Sequence, residues 1–115
     1  CTLKNCVNNG DLDATAEGYK GTAGGIFALA GSATITGIEG GGNYGTIKTL
    51  NTAGKYIGLL WANHNNTIPT KDVVASGRIF VDGVEREISE ANYMENVGYI
   101  KDPSCVTNIL WVAPK

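Results

Sequence analysis

The glycine-rich stretch GIEGGGNYG, residues 37–45, combines residue types that can support chemistry in a turn. Turns that bind phosphate present backbone N–H groups to the anion, with a Lys-Ser or Lys-Thr pair and a helix directly after the glycines. Here the strand-like run TIKTL follows instead. The stretch therefore predicts a turn between strands rather than a phosphate site.

A second candidate site lies in a polar run after an apolar strand, which contains Trp61, Asn63, His64 and Asn65. An aromatic face next to amides can stack on a sugar ring and hydrogen-bond its hydroxyl groups. Burial of Trp61 in the protein interior is the favoured alternative. His64 has no second His, Cys or carboxylate in its segment, so neither a metal site nor a general base is expected there.

Catalytic chemistry has little support elsewhere in the chain. The carboxylates are scattered, and Asp11 and Asp13 match no calcium-loop pattern. No nucleophile and base can be paired from the sequence. We therefore expect no catalytic residue, no metal and no cofactor, and we expect that the protein is not an enzyme.

The three cysteines, Cys1, Cys6 and Cys105, lie near the two ends of the chain and form no Cys-x-x-Cys pair. Such usage, with few charges and many glycines, favours an oxidising, extracytoplasmic setting. A disulfide between Cys6 and Cys105 is the predicted pairing, because it would join the two ends. Cys1 would then be a free thiol, a cysteine joined to another chain, or a lipidated residue.

The bulk composition sets further limits on function. The chain has 115 residues, 16 of them glycine, with 17% charged residues and a net charge of −2. Residues 1–115 are expected to form a single domain with its own core. Charges of both signs are interleaved and no apolar run approaches the ~20 residues of a membrane span, so we expect no nucleic-acid partner and no membrane insertion.

The elements that must position these residues are short strands. Runs such as GTIKTL, YIGLLWA and TNILWVA are rich in β-branched and aromatic residues and are bounded by Gly, Asn, Asp or Pro. Asp82 and Gly83 between two alternating runs predict a type I′ hairpin, so residues 78–88 should be antiparallel. Residues 87–97 are the only credible helical stretch, with one or two turns capped by Ser89.

Turns that contain glycine recur along the chain at a nearly fixed period. Gly10, Gly45 and Gly77 each precede a strand-like run, and the differences between their residue numbers are 45 − 10 = 35 and 77 − 45 = 32. A second element places Gly25 opposite Gly58, where 58 − 25 = 33, and MENVGYIKD is a degraded third copy. A nearly constant period of this size is typical of repeat proteins, in which each unit stacks on its neighbour.

The order GGI…TI…NYGTI, followed by IGLL…NTI…ASGRI, resembles the GLUG-type glycine-rich repeats of bacterial surface and adhesin-like proteins. The resemblance covers roughly residues 5–82, the expected repeat region, and it implies a parallel β-solenoid without catalytic residues. Residues 83–115, with the hairpin, are the expected capping region, whereas the N-terminal edge is expected to pair with further repeats or with another chain. Inward aliphatic side chains should stack in columns, and the expected members are Ile26, Ile35, Ile47, Ile57, Ile68 and Ile79.

The expected fold is therefore all-β, a short parallel β-solenoid with a C-terminal β-hairpin cap, and a small β-sandwich is the alternative. The resemblance implies a non-enzymatic structural or adhesive module of an extracellular or cell-surface protein. Two alternatives are a self-assembling subunit of an extracellular filament and a carbohydrate-binding module. The expected partners are other copies of the chain, neighbouring repeats of a longer chain, or a host or environmental glycan.

Overall fold

The computed structural model describes residues 2–14, 23–30, 37–50, 57–64, 69–100 and 108–114. These residues form short β-strands and a single turn of 3₁₀ helix, which confirms the predicted all-β class. Turn-forming Gly, Asn and Asp interrupt the β-branched runs every few residues, so the strands are short.

The strands fall into three successive segments that share an order of elements. The first segment contains β1 Thr2–Lys4, β2 Val7–Asn8, β3 Leu12–Ala14, β4 Ala23–Gly24 and β5 Phe27–Ala30. The second contains β6 Gly37–Glu39, β7 Gly42–Asn43, β8 Ile47–Thr49, β9 Ile57–Gly58 and β10 Trp61–His64. The third contains β11 Thr70–Lys71, β12 Val73–Ala75, β13 Ile79–Val81, β14 Val84–Glu85, the 3₁₀ helix Tyr93–Asn96 and β15 Tyr99–Ile100, and β16 Ile109–Trp111 follows it.

Equivalent strands of successive segments pair side by side in parallel. Leu12 pairs with Ile47, and Ile47 pairs with Ile79, so the partners differ in residue number by 47 − 12 = 35 and 79 − 47 = 32. These differences equal those predicted from the glycine-containing turns. The run TIKT of the second segment therefore lies between DLDA of the first and RIFV of the third, as the repeats predict.

Five sheets in the described part of the chain run across the segments rather than along them. Their strand orders are β1-β6-β11, β2-β7-β12-β16, β3-β8-β13-β14, β4-β9 and β5-β10-β15. All the pairings in these sheets are parallel except that of β13 with β14. Each strand in a parallel pair thus contacts its counterpart in the next segment, and the core forms between the sheets.

The second repeated element is shifted by one residue from its prediction. Gly58 pairs with Gly24 and not with Gly25. Gly25 lies against the backbone carbonyl of Leu59, where a Cβ atom would overlap it. The adjacent glycines make the two registers indistinguishable in sequence. The predicted third copy also forms a parallel strand, since Tyr99 and Ile100 of β15 pair with β10, while its residues 101 and 102 lie outside the described residues.

The predicted hairpin is present. Phe80 pairs with Glu85 and Val81 with Val84 in antiparallel register. Asp82 and Gly83 have φ angles of 52° and 82°, the positive values that a type I′ turn requires at both central positions.

The rest of the C-terminal region differs in part from its expected role as a cap. β15 and β16 extend parallel sheets, because β15 pairs with β10 and β16 with β12. Only β14 is antiparallel among the described strands. The predicted helical stretch is one 3₁₀ turn that begins after Asn92, so Ser89 is not its cap.

Two members of the expected aliphatic columns stack directly, since Ile47 and Ile79 are register partners, whereas Ile57 pairs with Ala23. Ile47, Ile57 and Ile79 are buried and Ile26 is half-buried, while residues 35 and 68 lie outside the described residues. The buried cluster consists of Ile38, Ile57, Leu59, Leu60, Trp61, Val73, Ala75, Ile79, Val97 and Ile109.

Candidate functional site

The tryptophan of the predicted glycan site is fully buried. Trp61 has 0% of its surface exposed. A ring must expose one face to stack on a sugar, so the glycan role of Trp61 is wrong, and the favoured alternative of burial is correct. The backbones of Asn63 and His64 lie in β10, but their side chains and the whole of Asn65 lie outside the described residues.

The glycine-rich stretch uses its backbone N–H groups within the fold. Gly40 N donates to Lys71 O at 2.8 Å, and Gly42 N donates to Cys6 O at 2.9 Å. These donors bond to neighbouring segments and do not converge on a position for an anion. The stretch predicted as one turn contains the strands β6 and β7, and only Gly40 and Gly41, with φ angles of 68° and 69°, form the turn between them.

Cys6 is exposed and its thiol is free in this structure. Its predicted partner Cys105 and the remaining Cys1 lie outside the described residues, so the pairing stays a prediction. The strand order does separate the two ends of the chain. β2 and β16 are opposite edges of one sheet, with two strands between them, which corresponds to about 14 Å at the usual strand spacing.

Two asparagine side chains form a ladder that joins the three segments. Asn8 Nδ2 donates to Asn43 Oδ1 at 2.7 Å, and Asn43 Nδ2 donates to Ser76 O at 2.8 Å. Each amide also closes its own turn, since the same Nδ2 atoms donate to Gly10 O at 3.0 Å and to Gly45 O at 3.1 Å. Because each amide bonds both within its turn and across to the next segment, the ladder fixes the register between segments.

The amide oxygens complete the ladder. Asn43 Oδ1 accepts from Gly45 N at 3.3 Å as well as from Asn8, and Asn8 Oδ1 accepts from Gly10 N at 3.2 Å. Asn43 is fully buried, and a buried amide is stable only when its donors and acceptors are satisfied. Ala75 is the register partner of Asn43 in the third segment, so there the ladder ends on the carbonyl of Ser76.

Gly45 and Gly77, which follow the second and third ladder positions by two residues, lie where adjacent segments approach closely. A Cβ atom at Gly45 would overlap Gly10 O, and one at Gly77 would overlap Gly45 O. Gly77 also has a φ of 97°, where residues with side chains are strained.

The ladder was not predicted from the sequence, although a signal for it exists. NNG at residues 8–10 and NYG at residues 43–45 each place Asn two residues before Gly, and the two asparagines are one repeat period apart. Each Asn-x-Gly motif by itself predicts a turn, but the amide of a buried turn can also bond to the next repeat.

The side of β1, β2 and β3 that is directed away from the second segment pairs with no other strand among the described residues, and we call it the open face. Within the described residues these strands pair only with β6, β7 and β8. Leu12 is half-buried, whereas its register partner Ile47 and the next residue in that column, Ile79, are 0% exposed. Leu3 is likewise half-buried beside the buried Ile38. In the part of the chain that the structure describes, the core side chains of the first segment therefore pack against a segment on one side only.

The opposite side of the stack, which we call the closed face, is partly covered. β14 folds back on β13, where Arg86 N donates to Ile79 O at 2.9 Å and Arg78 Nη1 lies 2.8 Å from Glu85 Oε1. β16 covers β12 in the adjacent sheet. The two ends of the stack thus differ in what they expose.

The charges beside the ladder are on the surface. Lys4, Glu39 and Lys71 are register neighbours, and Lys4 Nζ lies 4.0 Å from Glu39 Oε2, with both side chains more than half exposed. Exposed pairs of this kind contribute little to stability. They alternate in sign across β1, β6 and β11 and create no field of one sign at this corner.

The described residues contain no cluster of three or more His, Cys, Asp or Glu side chains placed to hold a metal ion. No helix within them has the length and hydropathy of a membrane span. Comparison of the chain with protein-family models, with curated proteins and with solved structures finds no match. The asparagine ladder and the open face are therefore the features from which a function can be argued.

Proposed function

We propose that the chain is a short parallel β-solenoid that acts as a structural module of an extracellular or cell-surface protein. The observation that carries the proposal is the parallel pairing of three segments in one register, Leu12 to Ile47 to Ile79, with the asparagine ladder between them. A β-sandwich is built from antiparallel sheets, so parallel pairing between repeats favours a solenoid.

The use of the reactive residue types supports a structural role over a catalytic one. Asn43 is bonded on both sides by neighbouring segments, and the ring of Trp61 is in the core. The glycine amides that resembled an anion site bond to adjacent strands. These groups hold the segments together, so the chain offers a stiff surface for contact with other molecules.

The composition supports the extracellular assignment. Only 17% of residues are charged, while the turns are built from Gly and Asn and the chain contains three cysteines. The exposed side chains at the turns, such as Asn5 and Asp72, are the positions at which such a module would meet its surroundings.

Protease treatment of intact producing cells tests this assignment. We expect an antibody raised against the purified chain to label intact cells, and we expect external protease to remove the label while a cytoplasmic marker survives. Label that appears only after permeabilisation would contradict the extracellular role. It would leave the strand arrangement unaffected, because the stacking is a property of the fold.

A further inference from the structure

Each asparagine amide of the ladder donates to the following segment, and Asn8, the first of them, has an unused acceptor position among the described residues. Asn43 Oδ1 accepts two hydrogen bonds, one from its own turn and one from Asn8 Nδ2 of the preceding segment. Asn8 Oδ1 accepts from Gly10 N alone among the described residues. An amide oxygen has two lone pairs, so Asn8 can accept one further donor from the open face.

The backbone and the apolar residues of the open face match this pattern. β1, β2 and β3 present to it the same kind of strand edge that β6, β7 and β8 present to the first segment. Leu3 and Leu12 are half-buried there, whereas Ile38 and Ile47 are covered by the first segment and are buried. The open face therefore resembles the side of the second segment that pairs in parallel with the first segment.

We propose that the open face binds one further parallel segment of Gly-Asn-x-Gly type, whose asparagine Nδ2 donates to Asn8 Oδ1. This inference rests on the solenoid proposed above and names the partner that such a stack accepts. The required chemistry is specific: extended backbone at β1 to β3, aliphatic side chains beside Leu3 and Leu12, and an amide N–H donor in register with Asn8.

The closed face of a second copy does not supply this chemistry. The residues that continue the ladder column toward that face are Ala75, which has no side-chain donor, and Trp111, whose indole N–H does not belong to an Asn-x-Gly turn. β14 is antiparallel and covers β13, so it cannot continue the parallel sheet of β3. The stack thus grows by addition of an Asn-x-Gly segment at one face, and head-to-tail association of identical copies is not expected.

A peptide that copies residues 37–50, GIEGGGNYGTIKTL, serves as the probe. It is added to the intact chain and, in a second arm, joined to its N-terminus through a flexible linker that gives an effective concentration of the order of millimolar. The readout is amide hydrogen exchange at β1, β2 and β3. We expect the joined peptide to slow exchange there by roughly tenfold or more, which is an opening equilibrium shifted by ~1.4 kcal/mol.

The matched control is the same joined peptide with its asparagine, the copy of Asn43, replaced by alanine. Loss of one hydrogen bond of ~1 kcal/mol should reduce the protection by about fivefold. Equal protection by both peptides would overturn the role of the amide. Unchanged exchange at β1 to β3 with the joined wild-type peptide would overturn the binding face.

Two further results separate this proposal from its alternatives. Growth of the sedimentation coefficient with concentration of the unmodified chain would identify a second copy as the occupant and would overturn the choice of partner. A disulfide between cysteines placed at residues 13 and 48 reports the parallel stack itself, since these positions are register partners. If that disulfide forms and the joined peptide does not slow amide exchange at β1 to β3, the parallel stack is supported and the open-face proposal is wrong.

Discussion

Replacement of Asn43 by alanine removes the centre of the ladder and leaves the backbone able to keep its shape. Alanine already occupies the register-equivalent position in the third segment, Ala75, so it fits the strand there. The substitution removes four hydrogen bonds, two made by Nδ2 to Gly45 O and Ser76 O and two received by Oδ1 from Gly45 N and Asn8. Its effect on stability therefore measures the ladder.

The magnitude follows from the bonds that cross between segments. Each contributes ~1 kcal/mol net, and leaving the buried Ser76 carbonyl without this donor adds about 1 kcal/mol or more. We expect Asn43→Ala to lower the free energy of unfolding by about 3 kcal/mol in urea denaturation, with an unchanged m-value. This is a large share of the roughly 5–15 kcal/mol that is typical of a whole domain.

Two matched variants sharpen the test. Asn8→Ala loses one bond between segments at a half-buried position, so about 1 kcal/mol is expected. Asn43→Asp keeps the shape but loses both donors and turns a carboxylate toward two carbonyl oxygens, so it should destabilise more than alanine does. Equal effects of Asn43→Ala and Asn8→Ala, or a loss below about 0.5 kcal/mol for Asn43→Ala, would refute a ladder that holds the segments together.

The turns that contain Gly77 and Gly83 and the thiol of Cys6 can each be tested by a single change. Gly77→Ala should lower the free energy of unfolding by about 3 kcal/mol or more, because the added Cβ atom would overlap Gly45 O at a residue with positive φ. Gly83→Ala has open space around the Cβ atom and should lower it by only about 1–2 kcal/mol through backbone strain. Similar urea midpoints for the two variants would contradict the close approach at Gly77. Cys6 is exposed and free, so iodoacetamide should label it in the native protein, as measured by peptide mass spectrometry. Recovery of a linked Cys6–Cys105 peptide would instead establish the disulfide predicted from the sequence.

The repeat period could be predicted from the sequence because glycine marks places of close approach. Gly45 and Gly77 lie where backbone carbonyls of adjacent segments leave no space for a side chain, so their spacing equals the register of the strands. The hairpin could also be predicted from the sequence, since the two positive φ angles of its turn are those of Asp82 and Gly83 alone. The glycine spacing and the turn residues are both local features, so they can be recognised in a single sequence.

The asparagine ladder and the open face depend on contacts between segments. Asn8 and Asn43 are identical in type, yet Asn8 is half-buried and Asn43 fully buried, because among the described strands only that of Asn43 has a segment on each side. For Trp61 the sequence favoured burial over a glycan site, and the structure buries the side chain in β10, which has a strand on each side. Residue type and spacing do not encode how many neighbours a repeat has.

Equivalent strands of the three segments stack in parallel and in one register, and disulfides between paired cysteines can report this arrangement. In a background with the native cysteines changed to serine, oxidation should link residues 13 and 48, and residues 48 and 80, because each pair is in register on adjacent strands. Residues 13 and 80 are two strand spacings apart, about 9.6 Å, and should not link. Failure of the 13–48 and 48–80 pairs, or efficient linkage of 13 to 80, would contradict the parallel stack.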